Sequence, residues 1–340
     1  MLVPIRISLL LALFVSACSS IDRDGAKSLG LAGQSATRSL GIQVEATRTT
    51  LDVLNQWWAV HDALVCANVM VAVARTACLS NVTGSSAAIH PPMLDAARVR
   101  LGDVMSKRAQ AIRELNKAYT AFVDLAEYDA AAETAKAIDA AFAGINDLSA
   151  AASGLAPGGA ALPTIASSFG AAATGIGGLF AEQKQARLML EASTELHKAV
   201  NALIAALRAE RDYAASASLL AQLQNERAAL LDSAIDAGLV LPYDALGPVF
   251  QKAFPNLSLS YPQDTNSDVI KAAAHAAVKA ESMQAQDAAI RSYDAALATL
   301  QAVAKEHASL EDGESLDIDQ IQGAAEHLET ILATLAKDRS

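Results

Sequence analysis

The chain has 340 residues, with 26 Lys and Arg against 37 Asp and Glu and a net charge of −11 when histidines are neutral. That acidic balance opposes binding to a phosphate backbone, so nucleic acid is not expected among its partners. Apolar residues make up 52% of the chain but aromatic ones only 4%, so the core must be built from alanine and aliphatic side chains.

The first residues, MLVPIRISLLLALFVSACSS, place one cation at Arg6, an apolar run from Ile7 to Val15 and small residues before Cys18. This is the order of a secretory signal, and the run is too short to span a bilayer as a helix. Val15-Ser16-Ala17-Cys18 resembles the lipobox of bacterial lipoproteins. The resemblance implies a signal peptide over 1–17, acylation of Cys18, a lipidated tether over 18–26 and a periplasmic domain over 27–340. An Asp after the cysteine favours inner-membrane retention in such proteins, and here that position is Ser19. The outer membrane is therefore the implied location, with the bilayer bound through Cys18; the same signal is compatible with display at the cell surface. Each buried methylene contributes about 0.8 kcal/mol, so two or three acyl chains anchor the chain without a spanning helix.

Beyond the tether, apolar residues recur at three- and four-residue steps, the helical period, over 27–76, 92–153, 163–237, 267–311 and 316–337. The expected fold is all-α, an elongated antiparallel bundle of about five long helices. The first helix carries a stripe through Leu40, Val44, Leu51, Trp58 and Val65. Trp57 and Trp58 differ by about 100° around it, so one ring should pack in the core and its neighbour should be partly exposed.

Cys66 and Cys78 are the remaining thiols of an exported chain, where an even number favours pairing. Twelve residues of unbroken helix would hold them about 18 Å apart, and a disulfide needs Cα atoms within about 7 Å. Either the helix breaks and the chain folds back between them, or both stay free.

Pro91-Pro92 opens the second helix, where a missing N–H costs nothing. Its stripe runs through Leu101, Met105, Ile112, Leu115, Tyr119 and Phe122. From Leu148 through Phe180 there is no Asp, Glu, Lys or Arg. Within that stretch Ala166, Gly170, Thr174 and Gly178 fall four apart, a ridge on which another helix can approach closely, in lipid or in a soluble bundle. One reading is tight packing in the bundle. The other is a membrane-inserting hairpin over 148–181 with its turn at 154–163, a plan that resembles the α-helical pore-forming toxins in architecture and in no matched motif. Within it, the six strongly apolar residues of 162–181 favour insertion by roughly 2 to 4 kcal/mol, which the glycines, hydroxyl residues and proline of the same span offset, so packing is the simpler reading.

Leu196, Val200, Leu203 and Leu207 continue the third helix, and Gly238 with Pro242 follows its end. Residues 241–264, LPYDALGPVFQKAFPNLSLSYPQD, hold four of the nine prolines and should form a long irregular connection. Tyr243, Phe250, Phe254 and Tyr261 make it either a cap on the bundle end or an ordered partner-binding loop with aromatic anchors. The fourth stripe passes through Tyr293, Leu297, Leu300, Ala304, His307 and Leu310. Gly313 should stop it, and Asp317 with Gln320 can form a capping box for the last helix.

No Glu-x-x-His pair, zinc or haem motif, nucleophile elbow or phosphate-cradling loop occurs. The sets Glu191, Glu195 and His197, Glu306 and His307, and Glu326 and His327 read as solvated faces. No catalytic, cofactor or metal residue is assigned. The sequence points to a non-enzymatic binding or scaffolding lipoprotein with an envelope protein as partner, its oligomeric state open.

Overall fold

The computed structural model describes residues 23–67, 73–74, 76–78, 92–127, 130–155, 161–171, 181–216, 229–235, 239–256 and 268–337. These residues are all-α. The principal helices are α1 (Arg23–Ala67), α2 (Pro92–Glu127), α3 (Ala131–Ser153), α4 (Ala181–Ser216), α5 (Pro242–Ala253), α6 (Asp268–Asp312) and α7 (Ile318–Lys337). The signal peptide, Cys18 and the first part of the tether lie outside the described residues. Residues 23–26, assigned above to the tether, are instead the first turn of α1, and Ala26 is fully buried.

Paired side chains give the helix directions. Lys27 reaches Glu127, Gly30 lies against Val123, Gly33 against Tyr119, and Asn116 donates to the Gln34 carbonyl, so α1 and α2 are antiparallel. Arg108 with Glu210 and Gln185 with Leu125 make α2 and α4 antiparallel, and Arg211 with Asp294 and Ser193 with His307 do the same for α4 and α6. The α7 helix folds back along α6 and packs on α1, where Ser39 donates to Glu329. The core stripes read from the sequence are buried over most of their described length, from Leu40 and Val44 to Leu300 and Leu310, with Thr47, Leu231 and Ile290, which continue them, half-buried.

Two of the expected long helices are interrupted. The 92–153 helix is a hairpin of α2 and α3, which turns after Glu127 and restarts at Ala131 without a glycine or proline. Side chains satisfy the carbonyls the break leaves over: Gln185 on α4 donates to Leu125 and Ala126, and the Thr134 hydroxyl lies 3.0 Å from the Ala121 carbonyl and 2.9 Å from that of Ala130. In the second case, residues 161–168 are not helical, 169–171 are, and α4 is described from Ala181. Asn146 takes both the N–H and the carbonyl of Ile165, the groups a helix would have used internally.

Helix ends follow the sequence at one point and depart from it at another. Gly313 adopts φ 71°, open to a residue without Cβ. Its N–H donates to Leu310 and that of Glu314 to Ser309, a Schellman closure of α6. The capping box of α7 is not formed. The Asp317 N–H donates to Glu306 on α6 at 2.6 Å, and the Gln320 side chain accepts from Lys305 instead.

Close backbone approach occurs at glycines other than the predicted ridge. A Cβ on Gly33 would fall 2.3 Å from the Tyr119 ring, and one on Gly144 would lie 3.2 Å from the Ala111 Cα. At Gly41, also inside α1, it would meet nothing within 4 Å. Gly41→Ala is therefore expected to stabilise the chain by about 0.5 to 1 kcal/mol through helix propensity. Gly33→Ala on the same helix should destabilise it by roughly 1 to 3 kcal/mol by displacing the Tyr119 ring. Urea unfolding of the two variants measures both signs.

Candidate functional site

Two polar clusters lie inside the bundle, each with one residue from α2, α4 and α6. In the first, the His307 ring is fully buried, with Nε2 2.9 Å from the Tyr119 hydroxyl and Nδ1 2.8 Å from Ser193 Oγ. Burial, with a smaller contribution from His197 stacked 6.3 Å away, lowers the pKa of His307 to about 3. The neutral ring donates through one nitrogen and accepts through the other, bridging α2 and α4. Burial holds Tyr119 well above the usual phenol range, so its hydroxyl stays protonated. A serine beside a histidine is the start of a nucleophilic dyad, and Ser193, His307 and Tyr119 are all at 0% exposure, closed off from solvent in this conformation. Their arrangement holds helices together.

In the second cluster Arg108 Nη1 lies 2.6 Å from Glu210 Oε1, with side-chain exposures of 1% and 0%. The Tyr293 hydroxyl donates to the same oxygen, and the guanidinium carbon sits 5.3 Å from the Tyr293 ring centre, a cation–π contact. Burial pushes the Glu210 carboxyl upward in pKa, and Arg108 and Tyr293 pull it back. Arg108 Nη2 and Glu210 Oε2 are buried without a hydrogen-bond partner among the described residues, so the pair is monodentate.

The solvated-face reading fails for Glu195, Glu306 and His307, which are 2%, 1% and 0% exposed. Glu195 accepts from Ser168 and Lys198, Glu306 from the Asp317 N–H, and half-buried His197 meets Glu311 at 3.1 Å. Among the described residues no three His, Cys, Asp or Glu side chains converge as a metal-binding group.

Cys66 and Cys78 form a disulfide with Cα atoms 5.4 Å apart, because α1 stops at Ala67 and the chain returns. Trp57, Trp58 and His61 lie on α1, and their side chains are outside the described residues. Of the small-residue ridge, Ala166 is exposed in the non-helical segment, and a Cβ on half-buried, helical Gly170 would meet nothing within 4 Å. Thr174 and Gly178 lie outside the described residues. Among the described residues no helix is long and apolar enough to cross a membrane.

The connection 241–264 begins as a helix. The α5 helix starts with Pro242 in its first turn, packs on α6 and has Tyr243 half-buried. Phe250 and Phe254, four residues apart, are 44% and 50% exposed with ring centres 6.3 Å apart. Leu239 and Leu241 at the start of α5 are 65% and 41% exposed. Tyr261 lies outside the described residues. Comparison with family models, curated proteins and solved structures finds no match for the chain.

The depressed pKa of His307 makes stability pH-dependent with a fixed sign. Below the ordinary value of 6.5 the unfolded chain takes up a proton that the folded chain refuses until about 3. The contribution is therefore present above pH 6.5 and lost as pH falls, by about 3 kcal/mol at pH 4. In urea titrations from pH 7 to pH 4, wild type should lose that much more stability than His307→Leu. Parallel profiles would mean that the ring is already protonated or exposed.

Proposed function

We propose that the chain is an outer-membrane lipoprotein whose periplasmic helical bundle is a non-enzymatic docking platform for another envelope protein. The observation that carries this reading is the Phe250–Phe254 pair. Two phenyl rings side by side, one in the last turn of α5 and one on its C-cap, each about half exposed and close in sequence to exposed Leu239 and Leu241, are surface that water disfavours and a partner can cover. The anchor is the lipidated Cys18. The antiparallel contacts among α1, α2, α4 and α6 support an elongated bundle, since 45 residues of helix, as in α1 and α6, extend about 68 Å. Such a rod sets the height of the docking helix above the membrane. The arrangement does not favour the hairpin reading: Leu148, Ala152, Leu155 and Phe169 all belong to the buried core.

A photo-reactive phenylalanine analogue placed at Phe250 or Phe254 in cells tests the docking face, with exposed Asp139 on α3 as control. Both aromatic positions should yield the same discrete adduct and position 139 should not. Phe254→Ser should lower the adduct from position 250 at least tenfold without changing thermal unfolding. Cys18→Ser should abolish incorporation of labelled palmitate and release the protein from the membrane fraction. Equal adducts from all three positions, or retention of palmitate in Cys18→Ser, would contradict this reading.

A further inference from the structure

Residues 161–168 run as a non-helical segment back along α3, and Phe169 opens a helical turn. The Leu162 N–H donates to Ser153 Oγ at 2.9 Å, and three residues on, the Ile165 N–H donates to Asn146 Oδ1 at 2.9 Å while Asn146 Nδ2 donates to the Ile165 carbonyl at 2.8 Å. Three extended residues advance about 10 Å and seven helical residues about 10.5 Å, so the strap matches the spacing of the two α3 residues that hold it. Ser168 then donates to Glu195 Oε1 on α4 at 2.6 Å. Phe169 is buried in the core, and Leu162 and Ile165 pack against it.

This is the chemistry by which proteins hold extended peptides: side chains take the ligand's backbone groups, and apolar side chains at fixed steps fill the surface beneath. None of the three backbone hydrogen bonds depends on the identity of the strap residue that makes it. The fit is incomplete at one end. Ser168 and Lys198 both donate to Glu195 Oε1, whereas Oε2 of that carboxylate is buried with no partner among the described residues. Arginine in place of Ser168 presents a fork of donors able to engage both oxygens.

We propose that the α3–α4 face beneath residues 161–169 is a binding groove for an extended segment of another polypeptide, and that the strap occupies it as an internal competitor. The external segment is apolar at positions i, i+3 and i+7, as at Leu162, Ile165 and Phe169, and carries a forked donor such as arginine at i+6. This groove is separate from the α5 face and does not depend on it.

The test uses the non-lipidated chain 19–340 and a fluorescein-labelled peptide of residues 161–171, ALPTIASSFGA, read by anisotropy. The double variant Leu162→Ser/Ile165→Ser weakens the strap and leaves Asn146, Ser153 and Glu195 in place. It should bind the peptide at least tenfold more tightly than wild type, and more tightly again when the peptide carries Ser168→Arg. Adding Asn146→Ala should abolish binding. A double variant with unchanged helicity and unfolding temperature that binds neither peptide overturns the proposal. Hydrogen exchange of wild type gives a second reading that needs no substitution. The Leu162 and Ile165 amides should exchange at least tenfold faster than those of Ile145 and Leu148 on α3, and exchange at the same rate as α3 overturns the proposal.

Discussion

Alanine is the constraint on this fold. A helix face of methyl groups packs closely but offers shallow ridges, and sliding one such face along another by a turn exchanges one alanine contact for another at little cost. The two buried polar clusters supply the register that alanine cannot. Each draws one residue from α2, α4 and α6: Tyr119, Ser193 and His307 in one, Arg108, Glu210 and Tyr293 in the other. A slip of about 5.4 Å, one turn, leaves a guanidinium and a carboxyl buried without each other, and breaking such a pair costs about 3 to 5 kcal/mol. The monodentate geometry, with Nη2 and Oε2 unpartnered, fits a pair that selects a register rather than one that adds much net stability.

The same clusters give a structural role to buried groups that carry reactive chemistry. Ser193 beside His307 and the raised pKa of the Glu210 carboxyl have the look of functional groups in isolation. Full burial on three packed helices makes them internal joints. The surfaces proposed for recognition lie elsewhere, at the exposed Phe250–Phe254 pair and along α3 where the strap lies.

The helical period carried the all-α class, because most stripe residues from Leu40 to Leu310 that the structure describes are buried as their spacing implies. What it could not carry was set by partners distant in sequence. The α2–α3 turn has no glycine or proline to announce it and depends on Gln185, some 60 residues away. The N–H of Asp317 is met by Glu306 rather than Gln320, and burial of Glu195 and Glu306 depends on hydroxyl and N–H donors outside their own helices. The close contacts at Gly30, Gly33 and Gly144 left a weaker trace than the conspicuous 166–178 spacing, whose first member, Ala166, lies in a non-helical segment held by Asn146. The exposed rings of Phe250 and Phe254 were conspicuous in the sequence, while Gly247 and Pro248 disguised the helix that carries Phe250 and is capped by Phe254.

Register is the quantity on which this account stands. Spin labels at exposed Arg208 on α4 and Gln301 on α6, with the Cys66–Cys78 bond intact, report the sliding of those helices by pulsed dipolar spectroscopy. In Arg108→Met/Glu210→Leu/Tyr293→Phe the account predicts that the single narrow distance of the wild-type bundle broadens or splits while helicity is retained. An unchanged narrow distance in that variant would show that alanine packing alone sets the register, and would contradict the account.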